Sequence, residues 1–470
     1  RDYALVGSFY VFAIWIGIGV YAIYDYIKKY LQPKIAGPIV VAVCLLAAPV
    51  LMAAQNWDDH DRSDRYTALA IAKNYLQGCE PNAILYTIGD NDTFPLWYAQ
   101  EIEGFRTDVK VVNTSLFMTD WYIDSMKAKS YDAEGLPISF DHSQYVGDKL
   151  DAAIYSPRTE ARIGLDELMN FIKSDDPRTM VEMRNGQKLH FFPTNKLRIP
   201  VNKENIIKNK VVSEQYYDSI VPYIDIDIKG SALYKNRIMM LDVLLNNDWK
   251  RPIYFTGGSF GDDDYMWMKD YLQLDGMIYK LVPVKNPIAK AASPLDMGQI
   301  DSEKMYKIVM DWNWGNSGST EIYHDPETRK NSITYRTNMA RLMEQLVNEE
   351  KIDKAKNIIN LAMKEMPVDY FGYYTMLEPF AAGYYAVGED AKGRALLTKL
   401  IGKYQESLTF YAGLPSSSQN AIAVTIMSDI ERYRSLLLVV QDQDTPFYNA
   451  EKLRFNEMNE RFKRFGRKNE

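Results

Sequence analysis

The sequence predicts three parts in series: two transmembrane helices, an α/β domain with a mostly parallel sheet, and an all-α helical repeat region. Three observations carry this reading. Two charge-free apolar runs flank a short basic loop near the amino terminus. A strand–helix–strand pattern follows between residues 83 and 114. From about residue 331 the apolar positions keep helical spacing to the end. The corresponding boundaries are 1–55 for the hairpin, 56–285 for the α/β domain, 286–330 for a linker and 331–470 for the helices.

The 470 residues exceed one ordinary domain, and 47% hydrophobic with 25% charged residues is the composition of a folded protein. A net charge of -7 gives no basis for a nucleic-acid partner. The 34 tyrosines suit packed helical cores, with sugar-contacting surfaces as the alternative use. Cys44 lies in an apolar run and Cys79 between a helix and a strand, on opposite sides of the membrane surface. No disulfide framework or zinc cluster follows from two such cysteines. The chain opens on Arg1 and turns apolar within three residues, which reads as a cut point with a longer polypeptide before it.

Ala4 to Tyr24 is 21 residues without a charge, and Ile35 to Ala54 is 20. At about 1.5 Å per residue each reaches roughly 30 Å, the thickness of the hydrocarbon core of a bilayer. The loop between them carries Lys28, Lys29 and Lys34 against Asp25, so it is expected in the cytoplasm. Everything after Gln55 then lies outside the cytoplasm, on the periplasmic side of the inner membrane. Tyr21, Tyr24, Tyr26 and Tyr30 fall where an interfacial aromatic belt belongs.

Beyond the membrane, Ser63 precedes a helix whose apolar face is Ala68, Leu69, Ala72, Tyr75 and Leu76. Ala83 to Ile88 is a nearly continuous apolar run, suited to a strand buried on both faces. A helix with Phe94, Trp97, Tyr98, Ile102 and Phe105 on one side follows, with Asp92 or Thr93 as its cap and Pro95 in its first turn. Val109 to Thr114 is the next strand, and the whole is a right-handed parallel crossover. Residues 116–236 break into short segments with turns such as Ser174-Asp175-Asp176-Pro177. Arg237 to Leu245 then reads as helix and Arg251 to Phe255 as a buried strand ending in Gly257-Gly258. Prolines 283, 287 and 294 mark the linker.

In the helical part Ala355, Ile358 and Ile359 correspond to Gly393, Leu396 and Leu397 at a spacing of 38. Small residues at a helix crossing followed by apolar ones resemble tetratricopeptide-type (TPR-like) pairs, although the usual period is about 34. An ordinary helical bundle is the alternative.

Candidate chemistry gathers first at Gly89-Asp90-Asn91-Asp92-Thr93, on the carboxyl end of the first parallel strand, where open α/β sheets place ligands. Asn113, Thr114 and Ser115 end the neighbouring strand, with Asp120 soon after, and Asp262, Asp263 and Asp264 follow the Gly257-Gly258 loop. Converging carboxylates would hold a divalent cation or sugar hydroxyls, and Asp90 with Asp92 are the metal candidates. The plainer reading is that Asp90 and Asp92 make a turn and cap the next helix. A second candidate is Asp58-Asp59-His60-Asp61, just outside the membrane, for which a solvated loop is the plainer reading. His142, His190 and His324 stand alone and read as structural. Asn91 and Asn113 open N-glycosylation sequons of a kind common by chance.

Asn56-Trp57-Asp58-Asp59-His60-Asp61-Arg62-Ser63, Gly89 to Tyr98, Arg106-Thr107-Asp108-Val109 and Thr119-Asp120-Trp121-Tyr122-Ile123 occur in this order. Together they resemble the carboxy-terminal half of a bacterial family of multi-spanning membrane proteins. That family is grouped with the protein O-mannosyltransferase-like glycosyltransferases of the GT-C type. The resemblance is close over residues 1–125 and loose beyond. It implies a lipid-phosphate-linked sugar donor and a protein acceptor, with the catalytic acid in an earlier extracytoplasmic loop that nothing here matches. The expectation is therefore a glycosyltransferase portion that binds the acceptor or shapes the site. The rivals are a membrane-anchored metal-dependent enzyme using Asp90 and Asp92, and an envelope scaffold whose residues 331–470 dock a partner protein.

Overall fold

The computed structural model describes residues 2–183, 186–257, 265–286 and 296–465. Its contacts divide the chain into residues 1–65 with 320–325, and 66–319 with 326–470.

In the first unit, helix Asp2–Ile27 is followed by Pro33–Leu45, which continues through a π-helical turn, Leu46–Val50, into Leu51–His60. Pro49 lies inside that turn. Proline has no N–H to give and its ring crowds the preceding carbonyl, which accounts for the widened turn. The stretches Ala4–Ile27 and Pro33–Trp57 are long and apolar enough to cross a membrane. Apart from Ala36 and Val40 their apolar side chains are largely uncovered: Phe12, Trp15 and Leu46 are each about two-thirds exposed. Apolar surface of that extent calls for a non-aqueous neighbour. Asp25, in the last turn of the first helix, pairs at 2.6 Å with Lys28 just past its end, and Arg65 pairs with Asp325.

The second unit is built on a five-stranded sheet. Its members are β1 (Ile84–Thr87), β2 (Lys110–Asn113), β10 (Ile253–Thr256), β11 (Leu272–Asp275) and β12 (Ile278–Leu281). The order is β11-β12-β10-β1-β2. β1 runs parallel to β2 and β10, through the expected crossover helix Asp90–Glu101, whereas β12 is antiparallel to both β10 and β11. The sheet is thus mixed rather than mostly parallel. The reason is local: only Gly276 and Met277 separate β11 from β12, and so short a connection joins antiparallel strands alone. Gly276 takes a left-handed φ of 71° to make the turn.

Every residue of β1, β2 and β10 is buried, because both faces are covered. Leu85, Val111 and Tyr254 point to one side, into a cluster with Ala72, Leu76, Leu96 and Ala99 from helices Thr67–Gly78 and Asp90–Glu101. Ile84, Tyr86, Val112 and Phe255 point to the other, into the large core that includes helix Lys235–Asn247. Alternation along the strands fills both clusters at once.

Residues 116–236 form two further small sheets. β3 (Ala152–Tyr155), β5 (Met180–Glu182), β6 (Lys188–Phe192) and β9 (Ala232–Tyr234) make one, in the order β5-β6-β3-β9. β4 (Ile163–Gly164), β7 (Lys196–Pro200) and β8 (Tyr223–Asp227) make the other.

The 286–330 stretch carries a helix of its own, Ser302–Met310, whose Lys304 joins a cluster of buried charges. Lys304 Nζ donates to Glu80 Oε1 and Asp275 Oδ2 at 2.6 Å each, and Lys280 donates to Glu80 Oε2 at 2.6 Å. Beyond it, Pro326–Asn348 packs on Ile352–Glu365, and Glu378–Ala386 on Asp390–Gly413, followed by Ala423–Val440 and Thr445–Arg461. Ala355, Ile358, Ile359 and Leu397 are fully buried, as their spacing predicts. A Cβ on Gly393 would come within 2.9 Å of the Tyr385 ring, so the small residue is required where the helices cross.

Candidate functional site

The carboxyl ends of β1, β2 and β10 meet in a set of side chains that bind one another. Gly89 precedes helix Asp90–Glu101, and Asp92, in the first turn of that helix, accepts from the backbone N–H groups of Ile88 and Gly89 at 2.8 Å each. Its Oδ2 also accepts from Thr256 Oγ1 at 2.7 Å, which ties the end of β1 to the end of β10. Asp92 therefore caps its helix in the way an acidic third residue does, while linking two strands.

Beneath it, Thr87 and Thr93 share a hydrogen bond at 2.6 Å, and Thr93 Oγ1 accepts from Asn113 Nδ2 at 3.1 Å. Asn113 Oδ1 accepts from the N–H groups of Ser115 and Leu116. With its amide so engaged and the residue fully buried, the Asn113 sequon offers no acceptor in the folded chain. Asp90 and Asn91 face solvent on the first turn of the helix. Asp262, Asp263 and Asp264, like Gly258, lie outside the described residues.

Asp120 sits apart from this cluster in helix Asp120–Lys127. It accepts from Gly147 N at 2.7 Å and from Lys235 Nζ at 2.9 Å. Partial desolvation raises its pKa, but those two donors outweigh it and hold the carboxyl below its ordinary range. Lys235 is nearly inaccessible and also lies 3.2 Å from Asp151. One turn on, Asp124 accepts from Tyr145 OH and pairs with His142, so His142 has a carboxylate partner and does not stand alone. Trp121, between the two aspartates, is exposed.

Asp58, Asp59 and His60 belong to the first unit, on helix Leu51–His60. His60 Nδ1 lies 2.9 Å from the carbonyl of Asn56, one turn earlier on its own helix. Asp61, just past the helix, accepts from Ser63 N at 2.8 Å and from Ser63 Oγ, which lowers its pKa. Among the described residues no three His, Cys, Asp or Glu side chains gather as metal ligands would.

Lys235 and Thr256 escaped sequence reasoning. Thr256 ends an apolar strand and Lys235 opens a helix, and each finds its carboxylate more than 100 positions away.

These features fit a membrane-associated protein that carries a mixed-sheet α/β domain and a helical carboxy-terminal region. The chain belongs to the TMEM260-associated domain 2 family, whose model matches residues 68–304. That span runs from helix Thr67–Gly78 to Lys304, taking in all three sheets and the buried charge cluster. No curated protein and no solved structure matches the chain.

Proposed function

We propose that this chain is the carboxy-terminal, extracytoplasmic part of a membrane protein O-glycosyltransferase that moves a sugar from a lipid-phosphate carrier to serine or threonine of a protein. The observation that carries the reading is the family match over residues 68–304, because TMEM260 is a protein O-mannosyltransferase. The two apolar helices and the motifs at Asn56–Ser63 and Gly89–Tyr98 support it, since both belong to the GT-C resemblance. The basic loop Lys28-Lys29 favours a periplasmic location for everything beyond Gln55.

In this reading the hairpin belongs to a larger membrane bundle, and the catalytic acid lies on a segment other than these residues. The α/β domain contributes to the site, and the exposed Asp90 and Asn91 are its groups for acceptor or sugar. The helical region binds or orients the protein acceptor. The test is transfer by the full-length protein in membranes, with Asp90→Asn and with residues 331–470 removed. Loss of transfer in both, with the protein still folded and inserted, is the expected result. Unchanged transfer after removal of 331–470 would refute the acceptor-binding role.

A further inference from the structure

A cleft of about 460 Å³ opens between helices Pro326–Asn348, Glu378–Ala386 and Ala423–Val440. Its apolar wall includes Met376, Pro379, Ala382, Leu436 and Val439. Past Asp296, Arg341 and Glu344 it continues into a second recess of about 390 Å³, whose lining is polar and includes Gln299, Gln345 and Asn348. The two recesses share those three charged residues, so one groove runs from an apolar half to a polar half. Each half alone is the size of an ordinary small-molecule pocket. Joined, they suit something longer.

The charges in the groove are not equally committed. Arg341 spends its guanidinium on the wall, donating to the carbonyls of Met297 at 2.7 Å and Gly298 at 2.6 Å. Arg432 faces Glu378 at 3.3 Å, and Glu378 also accepts from Tyr404 OH. Glu344 accepts no hydrogen bond from any described residue, although its carboxylate reaches the water of the groove. The crowding of the walls pushes its pKa above the ordinary range; Arg341 opposes this and Asp296 reinforces it. A carboxylate on the groove lining with no hydrogen-bond donor among the described residues is favoured by a cation brought into the groove.

We propose that this groove binds an extended segment of another protein, with a lysine or arginine of that segment paired to Glu344 and a neighbouring apolar side chain against the partly exposed Met376 and Val439. A long basic side chain suits the place, because its methylene stem lies along apolar wall while its head reaches the carboxylate. The polar half, with its amide side chains, matches the backbone of an extended segment. The inference rests on the groove alone and holds whether or not the segment is a glycan acceptor.

The test uses the full chain in detergent micelles and fluorescent decapeptides of an alanine–serine background, carrying Arg-Leu, Ala-Leu, Glu-Leu or Arg-Ser at the centre. Anisotropy is expected to rank Arg-Leu tightest, with Glu-Leu weakest. Glu344→Gln is expected to weaken Arg-Leu binding at least tenfold with an unchanged melting curve. Ser435→Trp, which adds bulk at an exposed position of the cleft lining, is expected to abolish it, and covers the case that Glu344→Gln misfolds. Equal binding of the four peptides, or no binding of any, would overturn the proposal. So would Arg-Leu binding untouched by Glu344→Gln. Displacement by spermidine with Arg-Ser bound as well as Arg-Leu would mean a small-cation site, and would overturn it too.

Discussion

Asp92 and Thr256 are 164 residues apart, yet their side chains meet at 2.7 Å across the ends of two parallel strands. With the two backbone donors from Ile88 and Gly89, this leaves Asp92 holding three hydrogen bonds in a half-buried position. Its neighbour Asp90 is exposed. The two aspartates of one motif are thus separable. Asp92→Ala leaves two backbone N–H groups and a threonine hydroxyl without their acceptor and is expected to cost about 1–3 kcal/mol of stability. Asp90→Asn is expected to stay within about 0.5 kcal/mol of the parent. Urea unfolding of both variants measures the difference, and equal stabilities would contradict the assignment of Asp92 as the strand-linking cap.

Divalent cations follow from the same geometry. Three hydrogen bonds already occupy Asp92, two on Oδ2 and one on Oδ1, which leaves about one lone-pair position for a cation. Calorimetry with Mg²⁺, Ca²⁺ or Mn²⁺ is expected to show no binding that Asp92→Asn removes. A heat signal lost on that substitution would support the metal-dependent reading.

The β11–β12 turn is a second sensitive point. A Cβ on Gly276 would lie 2.8 Å from Ile308 Cγ2 and 3.3 Å from Trp312, and the residue already has a positive φ. Its carbonyl accepts from Asn338 Nδ2 at 2.8 Å, tying the hairpin to helix Pro326–Asn348. Gly276→Ala combines backbone strain with overpacking and is expected to destabilise by about 2 kcal/mol or more. A shift in the urea midpoint is the readout.

Lys110 sets a pH dependence. It is almost wholly buried and donates to the carbonyl of Ala128 and to Ser130 Oγ at 2.8 Å each. Desolvation, with Arg251 adding to it, brings its pKa from 10.5 down to about 8. Between pH 8 and 10.5 the unfolded chain therefore binds more protons at this position than the folded one. Stability gains with pH across that window; below it both states are protonated and Lys110 contributes no slope. Lys110→Met is expected to remove this contribution, as urea unfolding at pH 8, 9 and 10 would reveal. An identical slope in the variant would contradict the depressed pKa.

How far the sequence discloses this fold depends on where the polar partners lie. β1, β2 and β10 are apolar runs bounded by turn residues, and helix Asp90–Glu101 opens on its own cap; all are local patterns. β11 and β12 hide because Gln273, Asp275 and Lys280 are polar at fully buried positions, which breaks the strand signature. Their burial makes sense only once Glu80 and Lys304 arrive from 200 residues before and 24 after Lys280. The site divides the same way. Asp92 as a cap is a short-range pattern, whereas its tie to Thr256 and the pairing of Asp120 with Lys235 arise only in the folded chain.

The most direct test of the central claim is the glycosylation state of proteins in the native membrane and envelope. Serine- and threonine-linked hexose on tryptic peptides would be measured by mass spectrometry in cells with the intact gene, without it, and with residues 66–470 deleted from the product. The expected result is a defined set of hexosylated peptides in the first case and their loss in the other two. An unchanged set of hexosylated peptides after loss of the gene would contradict a glycosyltransferase role for this chain.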